Sequence, residues 1–195
     1  MLGAVQPARK VATYDDLLAL PEDARAEILA GVLVTPPAPL PRHALAQRTA
    51  ARFIGGPFDD DDGRGGPGGW WILLEVDVRL GANDIVRPDL AGWRRARLPV
   101  PWDMRPIDVT PDWICEVVSP SNAANDRVEK RRLYATHAVA FYWILDPEER
   151  TLEALRFDAS TNVWMETGSY DDVSIARIAP FEAIELEVGR LFPPK

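Results

Sequence analysis

Apolar and polar positions along the chain alternate, run together or recur at helical spacing, and each pattern predicts an element. Thr13-Tyr-Asp-Asp-Leu-Leu-Ala-Leu-Pro21 predicts a short helix, with Thr13 as N-cap, acids in its first turn and Pro21 as its stop. Ala26 to Val34 predicts a hairpin turning at Ala30-Gly31, with Glu27 on its first arm. Pro36 to Pro41 is a connector, followed by a helix from His43 to Phe53 with Leu45, Thr49 and Phe53 along one side. Gly55 to Gly69 reads as a polar, solvated loop, whose acids miss the alternate positions that a calcium loop requires ahead of Gly63.

Trp70 to Leu80 alternates and predicts one long strand. A turn at Asn83-Asp84 leads to a second strand, Ile85 to Trp93, interrupted by Arg87-Pro88. Trp113 to Val118 is a nearly continuous apolar run, the signature of a buried strand. Ser121 or Asn122 caps a helix running to about His137, and Val139 to Leu145 is a further buried strand closed by Asp146-Pro147. Thr151 to Phe192 reads as short strands and turns. The order strand, strand, strand, helix, strand predicts an α/β fold, with the segments at 113–118 and 139–145 as parallel neighbours across a crossover helix. Residues 1–12 read as a loose arm and 13–195 as one domain.

Composition narrows the class. With 195 residues, 47% hydrophobic and 27% charged, the chain is an ordinary globular one. No apolar run approaches the roughly 18 residues of a membrane span, and the N-terminus has no secretory core. Cys115 is the one cysteine, so no internal disulfide forms, in keeping with a reducing cytoplasm. The net charge of -8 argues against a wide basic surface for nucleic acid, though not against a small basic patch beside an acidic site.

Three acids interrupt segments that otherwise read as buried: Glu27 in A-E-I-L-A, Asp89 in V-R-P-D-L-A and Glu116 in I-C-E-V-V. Glu27 also fits a solvent-facing hairpin position, and Asp89 the end of a turn. Glu116 is the hardest to dismiss, because burying an unpaired carboxylate is costly. On a strand, Ile114, Glu116 and Val118 share one face, and Cys115 and Val117 the other. Carboxylates from neighbouring strands, with carbonyls and waters, suit Mg²⁺ or Mn²⁺. Lys130 lies two turns into the following helix, about 12 Å along its axis, from where its stem reaches Glu116 or pairs with Asp126 at the surface. Arg127, Lys130, Arg131 and Arg132, with Arg87, Arg94, Arg95 and Arg97, supply the local positive charge that a phosphate-handling site needs.

R-P-D-L-A at 87–91, P-D-W-I-C-E-V-V-S-P-S at 111–121, D-R-V-E-K-R-R-L-Y at 126–134 and F-Y-W-I-L-D at 141–146 resemble the Uma2 family of bacterial restriction-endonuclease-like proteins, formerly DUF820. A-E-I-L-A-G and His43 also resemble its N-terminal E-L-I-D-G…H pattern. The resemblance runs from about Tyr14 to Phe192. Phe141 and Ala30 depart from the family's usual residues outside the acidic positions. The resemblance implies a PD-(D/E)xK nuclease core: a mixed β-sheet flanked by helices, with β-hairpins added at the N- and C-terminal ends. It makes Asp89 the motif aspartate, Glu116 the motif acid and Glu27 an upstream acid. The superfamily lysine would fall at Val118, and Lys130 stands in for it.

The expected activity is metal-dependent endonucleolytic cleavage of DNA, with Asp89, Glu116 and the Val117 backbone carbonyl on Mg²⁺ or Mn²⁺. Lys130 would orient water or stabilise the transition state. Glu27 would position water or hold a second ion, and His43 would act as general base or phosphate contact. Arg87, Arg127 and Arg131 are candidate nucleic-acid contacts. Cleaving both strands with one site per chain favours a homodimer. The competing expectations are a catalytically inactive nuclease-fold module binding DNA or protein, and an interaction protein using its tryptophans.

Overall fold

The computed structural model describes residues 11–21, 24–60, 62–118 and 125–195, except the side chains of 125–127. The predicted cap at Ser121 or Asn122 lies outside the described residues, as does the predicted arm apart from Val11 and Ala12; the Ala12 N–H donates to the Gly31 carbonyl. Helix α1 (Tyr14–Leu18) starts where Thr13 and Asp16 form a reciprocal capping box. The hairpin of β1 (Glu27–Leu29) and β2 (Val32–Val34) turns through Ala30 and Gly31, both with positive φ.

Helix α2 (Pro41–Ala50) begins earlier than predicted, because Pro41 occupies its first turn, where a missing N–H costs nothing. It continues without a break into a π-wound segment, Ala51–Asp60, which takes up the first part of the predicted polar loop. Its buried side is not the predicted Leu45–Thr49–Phe53 line but His43, Ala46, Gln47 and Ala50.

Two predicted strands each prove to be two. Trp70 to Leu80 splits into β3 (Trp70–Leu74) and β4 (Val78–Gly81), and Ile85 to Trp93 splits into β5 (Asp84–Val86) and β6 (Leu90–Arg94). Both breaks fall at the same level. Glu75 takes a left-handed φ of 51° and its N–H donates to the Pro88 carbonyl at 3.2 Å. Pro88 itself has no N–H to give a ladder. Beyond that rung the ribbon forks, and each half joins a different sheet.

The larger sheet adds β7 (Trp113–Val117), β8 (Phe141–Asp146), β9 (Thr151–Asp158) and β10 (Val163–Tyr170) in the order β10-β9-β8-β7-β6-β3. Only β7 and β8 run parallel within it, as predicted; the crossover carries a π-wound segment Asn125–Lys130 and helix α3 (Arg131–Thr136). The smaller sheet runs β2-β1-β5-β4. The C-terminal region is more regular than predicted: β9 and β10 form a long hairpin, before β11 (Ile175–Ala176) pairs with β12 (Leu186–Glu187).

The two-residue period of the strands divides the core between the faces of the larger sheet. Trp113, Cys115, Val117, Trp143 and Leu145 face Ala46, Ala50, Ile54 and Phe58 of α2 and its extension. Ile114, Val118, Tyr142 and Ile144 face Tyr134 of α3, together with Val78 and Val86 of the smaller sheet. Trp113 and Trp143 meet edge to face at 5.3 Å. Gly92 makes room for Trp113, since a Cβ there would lie 3.0 Å from its ring. Burial of each such large side chain contributes about 1.5–3 kcal/mol. Among the described residues no helix is long and apolar enough to cross a membrane.

Candidate active site

Glu116 sits on β7 at 2% exposure, on the face shared with Ile114 and Val118. A charge there needs partners, and the crossover helix brings two. Lys130 Nζ lies 3.0 Å from Glu116 Oε1, and the Tyr134 hydroxyl donates to the same oxygen at 2.5 Å. Lys130 and Tyr134 are four residues apart, so they share one side of the helix. Lys130 stands where the π-wound turn gives way to α3. Burial, then the charges of Glu116 and Glu27, push the Tyr134 hydroxyl well above the ordinary tyrosine range, so it serves as a donor. The same ammonium is 3.0 Å from Glu27 Oε1. One buried cation therefore ties an acid of the smaller sheet to an acid of the larger.

The same Glu27 oxygen also accepts the Arg87 N–H at 2.8 Å where β5 ends. The Arg87 guanidinium points inward: its Nε donates to Asp77 Oδ1 at 2.8 Å, and another nitrogen reaches the Ala24 carbonyl. Asp77 in turn accepts the Tyr14 hydroxyl at 2.8 Å. Burial and the Asp77 charge raise the Tyr14 pKa. Arg87 thus orders the site through its backbone, while its side chain is engaged within the protein.

Asp89 precedes β6 at the fork. The pairing of Leu90 with Cys115 puts Asp89 across from Glu116 in register. Its Oδ2 accepts the Val117 N–H at 2.8 Å and lies 3.2 Å from His43 Nε2. Val118 gives its N–H to Leu145 of β8, so Val117, one residue back, turns both its N–H and its carbonyl toward the Asp89 side. Gln47, one turn beyond His43 on α2, donates to the Asp89 carbonyl at 3.1 Å and to Glu75 Oε1 at 2.9 Å. Arg25 pairs with that same Glu75 oxygen. Among the described residues, none gives the buried His43 Nδ1 a hydrogen-bond partner. Burial, with the Asp89 and Glu116 charges, pushes the Cys115 thiol well up, which makes it a core atom rather than a nucleophile.

The structure therefore gathers Glu27, Glu116 and Lys130 directly and sets Asp89, His43 and Val117 beside them. Among the described residues, no three His, Cys, Asp or Glu side chains are grouped so as to hold an ion by themselves. Arg131 is half-buried, and its carbonyl accepts the Trp164 indole N–H at 2.8 Å. The Arg127 side chain lies outside the described residues. Arg94, Arg95 and Arg97 are not near the acids as the sequence reading expected. They lie at and beyond the far end of β6, where Arg95 pairs with Asp59 of the π-wound segment and with Asp62 beyond it, and Arg97 with Asp112. Tyr134 was quoted in the 126–134 motif without a role, and Gln47, Glu75 and Arg25 escaped the sequence reading. Tyr134 and Gln47 carried a signal, each standing four residues after a residue already singled out.

The family model described as "Putative restriction endonuclease", Uma2, matches residues 11–188. The chain belongs to the Uma2 family. Among solved structures, a protein of Anabaena variabilis ATCC 29413 described as "a putative nuclease belonging to DUF820" superposes with a TM-score of 0.72. That match has 22% sequence identity and covers 92% of this chain and 97% of the other, which establishes a shared fold. Among curated proteins, none matches the chain. The mixed sheet, the crossover helix and the hairpins at both ends are thus the Uma2 architecture that the sequence motifs implied.

Proposed function

We propose that this Uma2 protein is a metal-dependent endonuclease that hydrolyses phosphodiester bonds in DNA. The observation that carries the reading is the placement of Lys130, 3.0 Å from both Glu27 and Glu116, beside the strand end where Asp89 meets Val117. A nuclease of this class needs two acids and a cation converging at a strand end. Here the cation arrives from a helix, and Val118, where the superfamily lysine would stand, is a core residue.

The donor set fits Mg²⁺ or Mn²⁺. Asp89, Glu116 and the Val117 carbonyl offer oxygen atoms from neighbouring strands, and waters would complete such a shell. The acids Glu27, Asp89 and Glu116 outnumber the Lys130 ammonium, leaving negative charge for a divalent cation to neutralise. When bound, such an ion supplies an acidified water and charge neutralisation at the phosphate. The protein's own groups do the rest. Lys130 places a positive charge where negative charge develops on the phosphate, and Glu27 and Glu116 hold that ammonium in place. Tyr134 fixes the Glu116 carboxylate, while the Val117 N–H and His43 fix that of Asp89. Two copies acting together would cut both strands of a duplex.

Plasmid DNA incubated with Mg²⁺ or Mn²⁺ tests the proposal, with Asp89→Ala and Glu116→Ala run alongside. Nicked or linear product from the wild type and none from either variant is the expected result. Undiminished cleavage by both variants would remove these residues from the mechanism. Binding without cleavage under every metal tried would make the protein a nucleic-acid-binding module on a nuclease fold.

A further inference from the structure

The cations nearest the acids differ in how deeply they are engaged. Lys130 is buried between two glutamates, and the Arg87 guanidinium is held by a buried Asp77. Arg25 differs. Its side chain and that of its partner Glu75 are each about a third exposed, at 33% and 32%. Glu75 is joined through Gln47 to the Asp89 backbone, so the Arg25 guanidinium is the partly exposed end of a short relay of side chains that leads to Asp89. An ion pair in contact with water is weakly held compared with a buried one. A phosphodiester offers a guanidinium the same paired oxygens as a carboxylate, in a geometry suited to bidentate binding.

We infer that Arg25 is a substrate-binding residue, which exchanges Glu75 for a backbone phosphate of the nucleic-acid strand beside the cleaved bond. Glu75 is its resident counter-ion: it holds the guanidinium at the exposed end of the relay and competes with the incoming phosphate. The inference rests on the nuclease reading above and adds to it a residue that holds the strand. It predicts opposite consequences for the two halves of one ion pair. Loss of Arg25 removes a phosphate contact, whereas neutralising Glu75 removes a competitor.

Fluorescence anisotropy with a labelled short duplex and its single strand, in EDTA and in Ca²⁺, separates this from a structural role. Arg25→Ala weakens binding roughly tenfold, and the slope of log affinity against log salt falls by about 0.9 on the duplex, or about 0.7 on the single strand, between about 50 and 200 mM. Arg25→Lys keeps the slope because it keeps the charge, and Glu75→Gln tightens binding severalfold at low salt. If Arg25→Ala and Glu75→Gln weaken binding alike with the slope unchanged, the pair merely braces Gln47 and Asp89. The inference then falls while the nuclease reading stands. Failure of the wild type to bind either probe in either condition overturns both together.

Discussion

The buried lysine offers the most direct physical test of the site. Lys130→Met deletes an ammonium that lies 3.0 Å from Glu27 and 3.0 Å from Glu116, and puts nothing polar in its place. Glu116 then keeps its charge at 2% exposure with the Tyr134 hydroxyl as a remaining donor. Breaking a buried pair from one side costs about 3–5 kcal/mol, because the other charge stays behind. For a chain of this size, with about 2–4 °C of melting temperature per kcal/mol, the loss is about 6–20 °C. Neutralising Glu116 as well should relieve much of it, so Glu116→Gln/Lys130→Met is expected to be more stable than Lys130→Met alone. Equilibrium unfolding in urea, followed by fluorescence of the buried tryptophans, reads all corners of the cycle. Losses that simply add, with coupling below about 0.5 kcal/mol, would refute the pairing and with it the account of why Glu116 is tolerated in the core.

Other expectations follow from the same geometry. His43→Ala removes a partner of the Asp89 carboxylate, and metal affinity or cleavage should fall about 10–100-fold, measured by metal titration of the nicking rate; an unchanged titration would make His43 a packing residue. Cys115 is fully buried with its thiol pushed up, so a thiol reagent should label it at the rate of unfolding and at no faster rate. Tyr134 has a folded pKa raised above its unfolded value of about 10, so its contribution to stability is complete below that pH and is lost as pH rises through the folded value. Urea midpoints collected across that range should fall more steeply for the wild type than for Tyr134→Phe. Ionisation of all four tyrosines with the fold intact would contradict this.

Much of the fold was legible because the parallel pair at its centre is written as unbroken apolar runs, which leave little choice but a buried strand. Glu116 stood out for the same reason: a single carboxylate in such a run demands a partner. The fork was not legible. Alternation continues from Trp70 through Leu80, and the left-handed residue that breaks the strand is Glu75, not the glycine that would have marked it. The buried side of α2 was missed because its polar members, His43 and Gln47, face the site, so apolar spacing alone pointed to the wrong stripe. The arginines at and beyond the end of β6 misled because closeness in sequence to Asp89 was taken for closeness in space, while a five-residue strand carries them to the other end of the sheet.

The fork also sets a rule for how this chain can vary in length. Between the end of β5 and the start of β6 only Arg87, Pro88 and Asp89 cross from one sheet to the other. Each has a fixed appointment: the Arg87 N–H with Glu27, the Pro88 carbonyl with Glu75, the Asp89 carboxylate with Val117. One residue inserted or deleted there would put every later side chain of β6 on the opposite face and carry Asp89 away from Val117. None of Glu27, Asp89, Glu116 and Lys130 lies on the excursion from Arg95 to Asp112 or on the glycine-rich loop before β3. Length changes among functional relatives should therefore collect in those two loops and spare the crossing.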